Sequence, residues 1–334
     1  MFGDSLYIAG LSKALSDKGF TVSIATREFF FERYKSYPFI NSIINLDAED
    51  PSREARELNP DIAIDLSYAK NHDFEFRMRL LACLDCYCIA TADYLNELKA
   101  YDEMISYRNC KHFSECMAKV YERTTGAYPS EKIRPYIFVN EKDLDGARQI
   151  LKDLGIDGSK GFVYLNTKAR TENRDLSTGQ IKSSVEAILA RKLIPVIYAV
   201  PECSSMLART YGNRVKILPK ASFSDVCALI SKASAVITPD TSVTHIASCF
   251  NIPTLTFYRG NCLDYFKCRL MKDVWSSMSD IHMECCVNAP NFKVDRFGYP
   301  NFPETPVSDI PEDMISEKVK VFLEITRASK DGTN

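Results

Sequence analysis

What the sequence lacks narrows its class before any motif is read. No apolar run approaches the roughly eighteen residues that a membrane-spanning helix needs. Formal net charge is only -2, so no basic field points to nucleic acid and no acidic tail to a solvated segment. No Gly-x-Gly-x-x-Gly follows any strand-like run, which disfavours a dinucleotide-dependent dehydrogenase. Low-complexity tracts and sequence repeats are absent, and no targeting segment is read at the start. The 12 cysteines are spread along a long chain, several of them core-like (Cys227, Cys249). They read as reduced thiols, and the compartment as cytoplasm. Cys83-x-x-Cys86-x-Cys88 and His282-x-x-Cys285-Cys286 each lack the second half of a metal site and read as core or chance.

What is present is ordinary globular composition, 46% hydrophobic and 26% charged, in 334 residues, enough for two domains. Short apolar runs alternate with helical patterns throughout, the signature of parallel α/β architecture. In the first half the spacing predicts a helix over Ser5–Lys18, stopped by Gly19, and further helices over Asp50–Leu58 and Phe74–Leu84. Strands are predicted at Thr21–Ala25, Ser42–Leu46, Asp61–Leu66 and Cys86–Ala90. Pro129 and Pro135 mark a linker, and a new helix runs from Lys142 to Leu154. The second half repeats the alternation more clearly, from the strand Phe162–Asn166 to the strand Thr254–Phe257. An irregular stretch over Asn261–Thr305 precedes a closing helix from Pro311 to Thr326. The domains expected are residues 1–135, residues 136–310, and a closing helix and tail over 311–334.

The most informative run is Ala235 to Ser248. It reads as a buried strand, a polar turn and a helix whose first turn offers unpaired backbone amides. Such a helix start, after the carboxyl end of a strand, is where an α/β sheet holds a diphosphate. Asp240, Thr241 and Ser242 supply oxygens at the cap, and His245 follows one turn on. Taken singly, each fits an ordinary cap or a half-buried helix position; as a cluster they favour a site.

Asp240-Thr241-Ser242-x-x-His245-x-Ala247, followed by Ile252-Pro253-Thr254, resembles the donor motif of the lipopolysaccharide heptosyltransferases, glycosyltransferase family 9. Family members usually have glycine where Ser242 stands. The resemblance implies the GT-B fold, two Rossmann-like domains facing a cleft, the first binding the acceptor and the second the nucleotide sugar. It implies donor contacts at Asp240, Thr241, Ser242 and His245. Upstream, Asn166-Thr167-Lys168 and Arg174 fall where the family has a polar loop with a basic residue for the phosphates. A guanidinium suits that task because it is always charged and binds two oxygens at once. Arg174 is the first choice and Lys168 the second, with Arg170 in the same loop. Glu202 matches a family loop near the nucleoside, and Ala221, in Pro219–Ser222, a segment that passes the base.

Gly3-Asp4-Ser5 resembles the family's turn into its first helix, where the aspartate is the proposed catalytic base. An inverting transfer is one in-line displacement, so the attacking hydroxyl must lose its proton as the bond forms. The departing diphosphate meanwhile gathers negative charge. Helix capping explains Asp4 as well. The family has a strand ahead of this turn; only Met1 and Phe2 precede Gly3 here, so the first domain is expected to lack its first strand.

The resemblance thus implies an inverting transferase that moves a sugar, heptose from ADP-heptose, to a lipopolysaccharide-core oligosaccharide. A different nucleotide sugar, for capsule or O-antigen assembly, and a non-catalytic nucleotide-sugar-binding protein are the alternatives. No Asp-x-Asp motif of the metal-binding transferases is read, and no metal or other cofactor is expected. The acceptor implied is lipid-linked. Phe29-Phe30-Phe31, with Arg27, Arg33 and Lys35, suits either a peripheral contact with the cytoplasmic face of the inner membrane or an amphipathic helix packed on the sheet.

Overall fold

The computed structural model describes residues 2–66, 74–91, 101–106, 110–156, 161–260, 263–264, 269–270, 276–286, 293–294, 300–301 and 305–331. The chain divides into two compact α/β units that part between Phe138 and Val139.

In the first unit, helix α1 (Phe2–Asp17) buries Leu6, Tyr7, Ala9, Leu11 and Leu15. Gly19 ends it at φ +97, a left-handed position where a side chain would be strained. Gly10 lets the chain pass close by: a Cβ there would stand 2.0 Å from the Arg134 carbonyl oxygen. Then follow β1 (Val22–Thr26), α2 (Glu28–Lys35), β2 (Ile40–Asn45), α3 (Pro51–Leu58), β3 (Ile62–Asp65), α4 (Phe74–Ala82), β4 (Tyr87–Ala90), β5 (Glu103–Met104) and α5 (Phe113–Thr125). The strands are parallel and form two sheets, β1-β2 and β3-β4-β5. Of the aromatic run, Phe30 packs against the cluster of Ile24, Tyr34 and Tyr37, whereas Phe29 is 82% exposed. The run therefore folds as an amphipathic helix with one phenyl ring outside.

The second unit opens with α6 (Glu141–Asp153). Its first turn holds Asp143-Leu144-Asp145, a triplet that does spell Asp-x-Asp and corrects the reading that none was present. Asp143 closes a capping box with Asn140, so the triplet is a helix start. The main elements that follow are β6 (Phe162–Asn166), α7 (Thr178–Ala190), β7 (Ile194–Tyr198), α8 (Pro201–Tyr211), β8 (Lys216–Ile217), α9 (Phe223–Ser231), β9 (Ala235–Pro239), α10 (Ser242–Cys249), β10 (Thr254–Phe257), β11 (His282–Cys285) and α11 (Glu312–Asp331). The stretch read as irregular contributes an edge strand, since β11 pairs in parallel with β10. Its own sequence, His-Met-Glu-Cys, carries little strand signal; the neighbouring edge supplies it.

The sheet has six parallel strands in the order β11-β10-β9-β6-β7-β8. β6 and β9, the central pair, begin chains of strands that run outward in opposite directions. Their boundary is the topological switch point, where crossover helices diverge and leave a crevice at the strands' carboxyl ends. One face of the sheet packs Val163, Leu165, Ile197 and Ile237 against α7 and α11. Buried Gln180 ties α7 to the segment before α11, donating to the carbonyls of Val307 (2.8 Å) and Ile310 (2.7 Å). A satisfied buried amide of this kind fixes position without leaving a polar group unpaired.

Candidate functional site

The motif residues gather at the switch point. β6 ends on Asn166, and its buried amide nitrogen donates to Thr238 Oγ1 (3.1 Å) and Thr241 Oγ1 (3.2 Å). Thr241 caps α10, accepting the Val243 amide at 3.2 Å, and its hydroxyl lies 3.1 Å from that of Thr238. Asn166, Thr238 and Thr241 therefore lock the turn between β9 and α10 to the end of β6. The Thr244 amide closes on the Thr241 carbonyl at 3.1 Å. The amides of Thr241 and Ser242 have no partner among the described residues. Two unpaired N–H groups at a helix start present positive partial charge.

Electrostatics sharpen the site. Arg174 Nη1 stands 3.2 Å from Asp240 Oδ2, with only 20% and 12% of the two side chains exposed, and 3.4 Å from the Asp240 carbonyl oxygen. Arg174 Nε is buried and has no partner among the described residues. The guanidinium thus neutralises a carboxylate beside the cap and keeps donor capacity. Lys168 turns the other way: Nζ is 2.5 Å from Asp175 Oδ2, and the Asp175 hydrogen bond holds the amine above the usual lysine range. Asp175 Oδ1 also accepts the Ala169 amide at 2.8 Å, folding the loop on itself. Arg170 is exposed. Of the three loop cations, only Arg174 stands against the motif.

Other expected residues are placed differently. Thr167 is buried and donates from Oγ1 to the Tyr198 carbonyl at 2.8 Å, so its hydroxyl binds strand to strand. His245 is buried on the inward side of α10, only 5% exposed. Ser242 begins α10, half-buried. Glu202 is exposed in the first turn of α8, and Ala221 is half-buried just before Ser222 caps α9. In the first unit, Asp4 falls in the first turn of α1, so the helix has begun before the expected Gly3-Asp4 turn. The Asp4 side chain lies outside the described residues.

Three positions escaped the sequence reading. Asp175, the partner of Lys168, was given no role at all. Thr238 looked like the end of a buried strand; a lone polar residue after Val236 and Ile237 was the available signal. Tyr198, at the end of β7, was hidden in an apolar run. Among the described residues no cluster of three or more His, Cys, Asp or Glu has a metal-holding arrangement, and no helix is long and apolar enough to cross a membrane. The ten described cysteines are all free thiols. A cavity of about 290 Å³ in the first unit, lined by Glu103, Lys119 and Arg123, contains none of the expected site residues.

Residues 201–287, from α8 to just past β11, match the model of glycosyltransferase family 9 (heptosyltransferase). Among solved structures, a glycosyl transferase of family 9 from Veillonella parvula is similar at 13% identity and TM-score 0.76, covering 97% of this chain and 95% of that one. ADP-heptose LPS heptosyltransferase II of E. coli is similar at 13% identity and TM-score 0.66, covering 98% and 97%. E. coli heptosyltransferase WaaC with ADP is similar at 13% identity and TM-score 0.64, covering 97% and 95%. No curated protein sequence matches. The resemblance carried by Asp240–Ala247 is borne out by the matched segment, which lies within the second unit. The α/β glycosyltransferase fold extends over nearly the whole chain.

Proposed function

We propose that the chain is an inverting glycosyltransferase that takes its sugar, heptose by resemblance, from an ADP-linked donor and passes it to a lipid-linked, lipopolysaccharide-core oligosaccharide. The observation that carries the donor half is the pair of unpaired amides at Thr241 and Ser242 beside Arg174, at the switch point of a six-stranded parallel sheet. A diphosphate seated there accepts both N–H groups and a charge-assisted bond from the guanidinium. These donors stabilise the charge that grows on the leaving diphosphate as the glycosidic bond breaks. They supply positive charge without a metal, and the proposal includes none. E. coli WaaC, similar in fold, is described with ADP and with ADP-2-deoxy-2-fluoro heptose, which supports the choice of nucleotide.

In this reading the first unit binds the acceptor, and Asp4 takes the proton from its attacking hydroxyl. The proposed setting is the cytoplasm, at the inner face of the membrane that holds the acceptor, with Phe29 as the contact. Ser242, standing where family members usually have glycine, favours a second reading in which the transferase uses another nucleotide sugar. Thermal-shift screening of ADP-, UDP- and GDP-sugars separates the two. The proposal expects the largest stabilisation from ADP-heptose; stabilisation by a UDP- or GDP-sugar alone would transfer the case to the second reading, and none at all would end both.

A further inference from the structure

Two thiols of the first unit stand in contact: Cys86 Sγ lies 3.9 Å from Cys88 Sγ. Cys88 belongs to β4, the middle strand of the β3-β4-β5 sheet, and is buried. Cys86 is half-buried in a bend just before that strand. Residues two apart in extended chain share a face, so Tyr87 between them points the other way and is exposed. The third cysteine of the run, Cys83, follows the end of α4 and is exposed. The spacing alone reads as core or chance. The structure divides it into a core thiol, a neighbour in contact with it, and a surface thiol.

The two partners are held unequally. The Cys88 amide donates to Asp102 Oδ2 at 2.7 Å, and its carbonyl accepts the Asp102 amide at 2.9 Å. On the other side β3 flanks the same residue, with Ala63 in register. Cys88 is therefore fixed from both sides, whereas Cys86 lies outside the strand and is the partner that shifts. Extended residues two apart are about 6.6 Å between Cα atoms, the far end of the roughly 4.4–6.8 Å that disulfides bridge. A bond there is attainable and easily reduced. Its geometry sits at the edge of the relaxed range, and it closes too short a loop to restrain the unfolded chain much.

We infer that Cys86 and Cys88 form a reversible dithiol–disulfide site whose co-substrate is a low-molecular-weight disulfide. Cys86 is the entry thiol: the Cys88 thiol is pushed up to about 12 by burial, with Cys86 alongside, and carries little thiolate near neutral pH. The Cys86 thiolate attacks one sulfur of the external disulfide, whose S–S bond breaks and releases one thiolate. Cys88 Sγ then attacks Cys86 Sγ, the mixed disulfide breaks, and the second external thiolate leaves. The protons of both cysteines end on the released thiols. Two protein thiols thus lose two electrons and two protons, and the external disulfide becomes two thiols. In a reducing compartment the pair rests as thiols and closes only when the surroundings turn oxidising.

The test incubates the full chain with oxidised glutathione, blocks the remaining thiols by alkylation, and reads the tryptic peptide 80–99, which holds all three cysteines, by mass spectrometry. The peptide is expected to lose two hydrogens, with Cys83 alone alkylated, and to regain them in excess reduced glutathione. Cys83→Ser keeps the bond and Cys86→Ser loses it entirely. Cys88→Ser stops at glutathione attached to Cys86; because that change touches the core, the Cys83 and Cys86 variants decide the matter without it. A peptide that keeps all its thiols, a bond that includes Cys83, or a Cys86→Ser variant that still closes would overturn the site. A bond that survives excess reduced glutathione would overturn its reversibility.

Discussion

Arg174 and Asp240 form an ion pair, Nη1 to Oδ2 at 3.2 Å, that joins the loop after β6 to the turn after β9 across the switch point of the sheet. The pair explains how a carboxylate can sit beside a proposed diphosphate site. Alone, Asp240 would repel an anion; neutralised by Arg174, it instead aims the guanidinium at the cap. Asp240 is thus a positioning residue in this account rather than a phosphate ligand.

Replacing Arg174 by alanine should weaken ADP binding by roughly 10- to 100-fold, the worth of one charge-assisted hydrogen bond in a partly buried site. The deficit should shrink as salt rises, because part of it is electrostatic. Titration calorimetry at low and high salt checks both parts. Undiminished affinity would shift the phosphate contact to Lys168 or Arg170.

Asp240→Asn should leave the fold intact but loosen Arg174. Unfolding stability should fall by about 1–3 kcal/mol, less than for a fully buried pair because one-fifth of the arginine side chain meets solvent. Urea melts measure the stability change. ADP affinity should fall with it, and a variant as stable and as avid as wild type would remove the positioning role.

Much of this site was legible beforehand. Asp240 to His245 announced a cap after a buried strand, and Arg174 was the preferred cation of its loop; both stand at the switch point. What the spacing withheld was direction. Asn166 and Thr167 point into the sheet, where they bind Thr238, Thr241 and Tyr198. Lys168 turns toward Asp175, and no local pattern distinguishes that from turning toward a ligand. The fold divides the same way. β6 and β10 have strong apolar patterns and run where predicted. β11 was missed because its pairing with β10, and not its residues, makes it a strand. α5, whose Phe113, Cys116, Met117 and Val120 are buried, was also passed over.

Asp4→Ala should reduce turnover far more than it changes ADP affinity, because a general base acts in the transition state and not on the bound donor. A loss of about a hundredfold or more in kcat is expected, read from product formation at saturating donor. Turnover equal to wild type would take Asp4 out of the reaction.

Two glycines separate a rigid contact from a yielding one. Gly10→Ala would drive a methyl against the Arg134 backbone, 2.0 Å from its carbonyl oxygen, and should destabilise the first unit by about 2–3 kcal/mol. For Gly179→Ala the nearest obstacle is the Glu312 carboxylate, the end of a side chain that can swing away, while alanine favours the helix. Its effect should stay within about 1 kcal/mol. Paired denaturant melts show the contrast, and a Gly179 variant as damaged as the Gly10 variant would contradict it.

Thiol reactivity follows burial. Burial, with Cys86 alongside, pushes the Cys88 thiol up to about 12, and burial alone leads the rise of Cys285 to about 11. Raised values mean less thiolate near neutral pH, and the thiolate is the reactive form. Alkylation of the native protein at about pH 8, followed by mass spectrometry, should label exposed Cys83 first and spare Cys88 and Cys285 until unfolding.

The cradle itself is tested most directly by amide chemical shifts in protein labelled with 15N at threonine and serine, titrated with ADP. The account predicts that the Thr241 and Ser242 signals move in step with binding, as their unpaired N–H groups meet phosphate oxygens. Saturation with ADP that leaves both signals in place would contradict it.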